Sequence, residues 1–112
     1  MSPQTDDLSL VFGALADPTR RDILSRLRGG TVTVGDLAKN YAMSRSAISQ
    51  HLTVLDRAGL IDRTVNAQWR ECSVRVAGLD DAADWMAAQR ATWNEHLDNL
   101  EAHLANRKKD RS

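Results

Sequence analysis

Cysteine is almost missing from this sequence. Cys72 stands alone, so no internal disulfide can form, and a lone thiol fits a reducing cytoplasm. Proline is as scarce, with only Pro3 and Pro18, which argues against wholesale disorder. No apolar run approaches the roughly 20 residues that cross a bilayer. The start, Met1 to Asp7, has neither the basic opening nor the apolar stretch of a secretory signal. The expected location is therefore the cytoplasm, with no membrane partner. Catalytic chemistry is missing too. The chain has no nucleophile–base signature, no glycine-rich phosphate loop and no carboxylates paired in a concave setting, so the expectation is that it is not an enzyme and needs no cofactor.

Net charge is also absent, since 15 basic residues balance 15 acidic ones. Their distribution is uneven. Between Pro18 and Val76 ten bases face five acids, a surplus of five; between Ala77 and Ala105 only Arg90 stands against six acids, a deficit of five. A basic middle and an acidic end suggest one surface turned to phosphates and another turned away, although charge runs are often only solvated faces.

What is present is a 112-residue chain, 42% hydrophobic and 27% charged, long enough for one domain with a modest core. The expected organisation is a flexible N-terminus over 1–6, one folded domain over 7–105 and a flexible basic tail over 106–112. Leu8, Val11, Phe12 and Leu15 recur at helical spacing and predict a first helix from Asp7 to Ala16. Asp17-Pro18 then caps a second, which runs to about Arg28 and ends at Gly29-Gly30. Thr31-Val32 reads as a short extended piece. Thr33 caps a third helix, and Ser44 a fourth that buries Ile48, Leu52 and Leu55 and stops at Gly59. Leu60 to Val65 and Trp69 to Val76 read as a hairpin joined by Asn66-Ala67-Gln68, with Cys72, Val74 and Val76 on its inner face. A final helix spans about Asp80 to Ala105. The expected fold is mainly α with a small β part, in the order helix, helix, short strand, helix, helix, hairpin, helix. That is the layout of a winged helix-turn-helix.

The fourth helix carries the functional signal. Its apolar positions fall on one face and leave Arg45, Ser46, Ser49, Gln50 and Thr53 on the other, groups able to donate to and accept from base edges in a major groove. Gln50 suits adenine, and Arg45 a phosphate or guanine. His51, just before inward Leu52, is read as a packing or hydrogen-bonding residue. Arg20 and Arg21 either touch the DNA backbone or pair with Asp17 or Asp22. Arg63 and Arg70 are expected to flank the hairpin tip, where they either meet DNA or are ordinary edge arginines. Trp69 is read as a packing residue at the hairpin base. The three tryptophans also raise base stacking as in single-strand binders, but Trp85 and Trp93 share the last helix with Leu97, Leu100 and Leu104, which favours core or dimer packing.

The run Leu15-Ala16-Asp17-Pro18-Thr19-Arg20-Arg21, with Ile23-Leu24 after it, together with Ser44 to Ile61 resembles the ArsR-type winged-helix repressor family. Within it, Ser49-x-His51-Leu52-x-x-Leu55-x-x-Ala58-Gly59-Leu60 is the most specific marker. The resemblance implies a homodimer built on the first and last helices, here Leu8, Phe12, Leu15, Trp93, Leu97 and Leu100. It also implies repression through a palindromic operator on double-stranded DNA, with two recognition helices about 34 Å apart. Metal-sensing members of that family carry a cysteine pair on the third helix or an acid-and-histidine set on the last. Thr33 to Leu37 holds no cysteine, and His96 and His103 share a helix face without reproducing the second pattern. The expectation is a branch without a metal site. A zinc-responsive repressor using His96 and His103, a protein-interaction module and a sensor of an unknown small-molecule inducer stay open as rivals.

Overall fold

The computed structural model describes residues 6–110. Residues through Ala82 form one compact unit, and those from Ala83 onward a second.

In the first unit, α1 (Asp7–Leu15), α2 (Pro18–Leu27), α3 (Val34–Ala38) and α4 (Arg45–Arg57) are joined by β1 (Val32–Thr33), β2 (Ile61–Asn66) and β3 (Trp69–Val74). Each helix begins on a side chain that accepts from an otherwise unpaired backbone N–H three residues on. Asp6 serves Ser9, Asp17 serves Arg20, Thr33 serves Asp36 and Ser44 serves Ala47. Asp6 thus belongs to the folded part, although the sequence reading put it in the N-terminal segment; the other residues of that segment, 1–5, lie outside the described residues. The bonds to Arg20 and then its charge hold the Asp17 carboxyl below the usual carboxylate range.

The end of α4 is fixed as firmly as its start. Gly59 takes a φ of 74°, its N–H donates to Asp56 at 3.0 Å, and the Leu60 N–H donates to Leu55 at 3.0 Å. This is a Schellman cap, in which Leu60 and Leu55 are both buried. The glycine is needed because side chains rarely tolerate that backbone conformation.

The core gathers one stripe from each element: Val11 and Ala14 of α1, Ile23 and Leu27 of α2, Leu37 of α3, Ile48, Leu52 and Leu55 of α4, Ile61 of β2 and Cys72 of β3, with Leu60 and Ala82. Burial pushes the Cys72 thiol up, so it behaves as a small apolar side chain rather than a reactive one.

The sheet has three strands in the order β1-β3-β2, all antiparallel. β1 joins the hairpin by pairing Val32 with Cys72 and Thr33 with Glu71, a pairing that the extended reading of Thr31-Val32 did not include. Asn66 belongs to β2 and pairs with Trp69, which leaves Ala67 and Gln68 alone at the turn. Two further expectations change. Trp69 sits beside the tip, 56% exposed, and is not a packing residue at the base. Val76 leaves the inner face, because β3 ends at Val74 and Val76 opens a 3₁₀ turn (Val76–Leu79) at 69% exposure.

The last helix, α5, spans Asp80–Asp110, beyond the end expected at Ala105. No glycine or proline interrupts it, and Arg107 and Lys108 near its end suit the negative pole of the helix dipole. Residues 111 and 112 lie outside the described residues. Among the described residues no helix is long and apolar enough to cross a membrane.

Candidate nucleic-acid interface

Four of the five expected α4 positions, Arg45, Ser46, Ser49 and Gln50, are exposed on the face opposite Ile48, Leu52 and Leu55. The fifth, Thr53, is half-buried, and its hydroxyl donates back to the Ser49 carbonyl of the same helix at 3.0 Å.

The two hairpin arginines occupy different places. Arg70 pairs with Val65 near the turn, while Arg63 lies opposite Cys72. The Arg63 guanidinium donates to the Asp56 carboxylate of α4 at 3.0 Å. It therefore does not flank the tip; it ties β2 to the last turn of the recognition helix. Such an exposed pair contributes little to stability on its own.

Arg20 and Arg21 have a role that the sequence reading missed. Arg20 donates through Nε to the Ala14 carbonyl at 2.8 Å and through Nη2 to that of Gly13 at 3.0 Å; Arg21 donates to Leu15 at 2.7 Å. Together they satisfy the last carbonyls of α1, where cations are favoured by the helix dipole. Arg20 also brings Nη1 to 3.3 Å from His51 Nδ1 on α4, and the Asp17 carboxylate lies 3.9 Å from the same nitrogen. His51 is thus a hydrogen-bonding residue that fastens the recognition helix to the joint between α1 and α2.

A second polar cluster braces the turn between α3 and α4. The Tyr41 hydroxyl donates to the Asp22 carboxylate at 2.5 Å, the Arg26 Nε donates to the same oxygen at 2.9 Å, and the Arg26 guanidinium lies 5.5 Å from the centre of the Tyr41 ring. The bonds from Tyr41 and Arg26 lower the Asp22 pKa. Burial, and next the bond to Asp22, push the Tyr41 phenol from its ordinary value of 10 up to about 12. The folded state favours the protonated phenol, so this stabilisation is present below pH 10 and fades as pH rises toward 12. Tyr41 is the single tyrosine in the sequence, which makes the effect readable by near-ultraviolet absorbance. Phenolate is expected to form only near pH 12 in the folded protein, and titration at the ordinary value would contradict the brace.

Between α3, α4 and the hairpin tip lies an open groove of about 480 Å³. Lys39, Arg45 and Arg70 line it against a single acid, Asp36, with Thr33, Ser49, Gln68 and Trp69 on its walls. Asp36 pairs with Lys39 at 3.3 Å.

The α5 residues expected at a dimer interface, Trp93, Leu97 and Leu100, are exposed, as are Trp85, Met86 and Leu104. Leu8, Phe12 and Leu15 of α1 are half-buried and pack partly on the core of their own unit. His96 and His103 are exposed on α5, where the His96 ring meets Trp93 edge-on at 6.3 Å. Among the described residues no group of three or more His, Cys, Asp or Glu side chains is placed to hold a metal ion.

A recognition helix held at both ends and in its middle, with a three-stranded wing behind it, matches what comparison with known proteins finds. The family model for "bacterial regulatory protein, arsR family" matches residues 17–63. Over 76 residues the chain is 41% identical to the transcriptional repressor SdpR of Bacillus subtilis (strain 168), covering 68% of this chain and 84% of that protein. A crystal structure of an ArsR family transcriptional regulator superposes with a TM-score of 0.75 at 34% identity, covering 80% of this chain and 98% of the other. The chain belongs to the ArsR family. An ArsR-like transcriptional regulator from Rhodococcus sp. RHA1 is similar as well, with a TM-score of 0.73 at 30% identity over 84% of this chain and 89% of that one. This ArsR-family protein is a DNA-binding transcriptional regulator built on a winged helix-turn-helix, and the family is one of regulators rather than enzymes.

Proposed function

We propose that this regulator is a homodimeric repressor that reads an inverted repeat in duplex DNA. The observation that carries the reading is the polar outer face of α4, where Arg45, Ser46, Ser49 and Gln50 stand exposed on a helix whose other face is fully buried. Arg45 and Gln50 have the donor and acceptor geometry that base edges need, while Arg70 near the wing tip supplies charge to phosphates. Dimerisation is supported by α5. Trp93, Leu97, Leu100 and Leu104 recur at helical spacing and stand exposed, an apolar surface that a monomer in water does not normally keep. Repression is supported by the repressor named among the relatives.

The test is a binding titration against the DNA upstream of the protein's own gene, beside a scrambled duplex, at two salt concentrations. Tight, salt-sensitive binding by a dimer to a palindromic site is expected. Equal affinity for both duplexes would overturn sequence-specific reading. Within the same assay Gln50→Ala is expected to lose roughly 1–3 kcal/mol on the operator alone. Arg70→Ala should weaken binding to both duplexes alike and lower the salt slope by about one. Equal losses on both duplexes for Gln50→Ala would remove it from base reading.

A further inference from the structure

We propose that Trp69 is a DNA contact, an apolar finger at the wing tip that packs against the deoxyribose wall of the minor groove beside the major groove entered by α4. This rests on the DNA-binding reading above and extends it to a residue that carries no charge.

Three observations point to it. The register sets Trp69 opposite Asn66, next to the Ala67-Gln68 turn, so the indole stands where the hairpin reaches farthest from the core. It is 56% exposed there, and an indole open to solvent offers a large apolar face of the kind enriched at interfaces. It also edges the groove whose other walls carry Lys39, Arg45 and Arg70 against the single acid Asp36.

That charge excess names the occupant. A groove rimmed by three cations and lined by the Thr33 and Ser49 hydroxyls suits a phosphodiester strand. A strand seated there would take its phosphates from Arg45, Lys39 and Arg70. The indole cannot neutralise phosphate, so what remains within its reach is the apolar side of the backbone, the sugars and base edges facing the minor groove. Apolar side chains at such positions make contacts that prise or brace that groove.

The expected signature separates this role from that of the charged residues. On the operator duplex Trp69→Ala is expected to bind about tenfold more weakly with an unchanged salt slope, because no counterion is released at an indole. Trp69→Phe should retain most of the affinity. The change in tryptophan fluorescence on adding duplex should vanish in Trp69→Phe while Trp85 and Trp93 remain. Circular dichroism of each variant reports whether the fold is kept, and Trp69→Phe keeps the test valid if the alanine variant misfolds. Unchanged affinity of a folded Trp69→Ala, or an undiminished fluorescence response in Trp69→Phe, would overturn the proposal. Binding of single-stranded DNA as tight as that of duplex would also overturn it, in favour of base stacking. If wild type binds no duplex at all, the failure lies with the DNA-binding reading itself, which the wild-type titration reveals first.

Discussion

Replacing Gly78 with alanine is expected to destabilise the first unit by roughly 3 kcal/mol, the size of effect that overpacking against rigid neighbours produces. A Cβ at Gly78 would overlap the carbonyl carbon and oxygen of Gly59 and stand 3.3 Å from the Leu60 Cα. All three are backbone atoms, so no side chain can swing aside. Nor can the backbone yield cheaply. Gly59 and Leu60 hold the Schellman cap of α4, and the Leu60 carbonyl accepts from the Arg75 N–H at 2.9 Å. Room for a methyl group would come only from breaking the cap that ends the recognition helix. Gly13 offers the control. It lies inside α1 with nothing within 4 Å of a new Cβ, so Gly13→Ala should raise stability by about 0.5–1 kcal/mol through helix propensity. Urea midpoints of the two variants should therefore move in opposite directions. A Gly78→Ala midpoint equal to wild type would mean that the 3₁₀ turn does not pass so close to the cap.

Leu52→Ala is expected to cost about 3–4 kcal/mol, within the range measured for leucine truncation in closely packed cores. Leu52 is 1% exposed and lies between Ile48 and Leu55 on the inner face of α4. The core around it is small, so little material is available to collapse into the cavity. Domains of this size are stable by only about 5–15 kcal/mol, so a loss of this size removes a large share of the total. None of the outer-face residues is touched, and the loss should therefore be recoverable by ligand linkage. Thermal unfolding with and without saturating operator DNA checks both points. A large drop in melting temperature without DNA, substantially restored with it, is expected. A melting temperature near wild type would show that α4 does not depend on this contact, and a failure of DNA to restore it would tie Leu52 to reading rather than to folding.

The sequence made local chemistry easy to read and distant geometry hard. Asp17, Thr33, Ser44 and Gly59 were recognisable as helix boundaries because each acts on a backbone group within a few residues. The outer face of α4 followed from periodicity, which needs no knowledge of the neighbours. Arg20 and Arg21 escaped because their acceptors lie on the preceding helix, across the Asp17-Pro18 break. Trp69 and Arg63 were misplaced because strand alternation gives the face of a side chain but not its cross-strand partner; only the register shows Arg63 opposite Cys72 and Trp69 opposite Asn66. The close approach of Gly78 to Gly59 has no local signature at all. It depends on how the chain returns after β3 to the end of α4.

Thr33 pairs with Glu71 across the sheet and caps α3 through the Asp36 N–H, so at this residue the wing and the helix-turn-helix share a fixed joint. Natural or engineered variation in wing length is therefore free in only one direction. Residues added between Ala67 and Gln68 lengthen the wing beyond the joint and leave its register untouched. A residue inserted between Val32 and Thr33 would turn the strand over, uncap the helix and detune both reading elements at once. Regulators descended from this scaffold should accordingly vary at the tip and hold their length at the hinge.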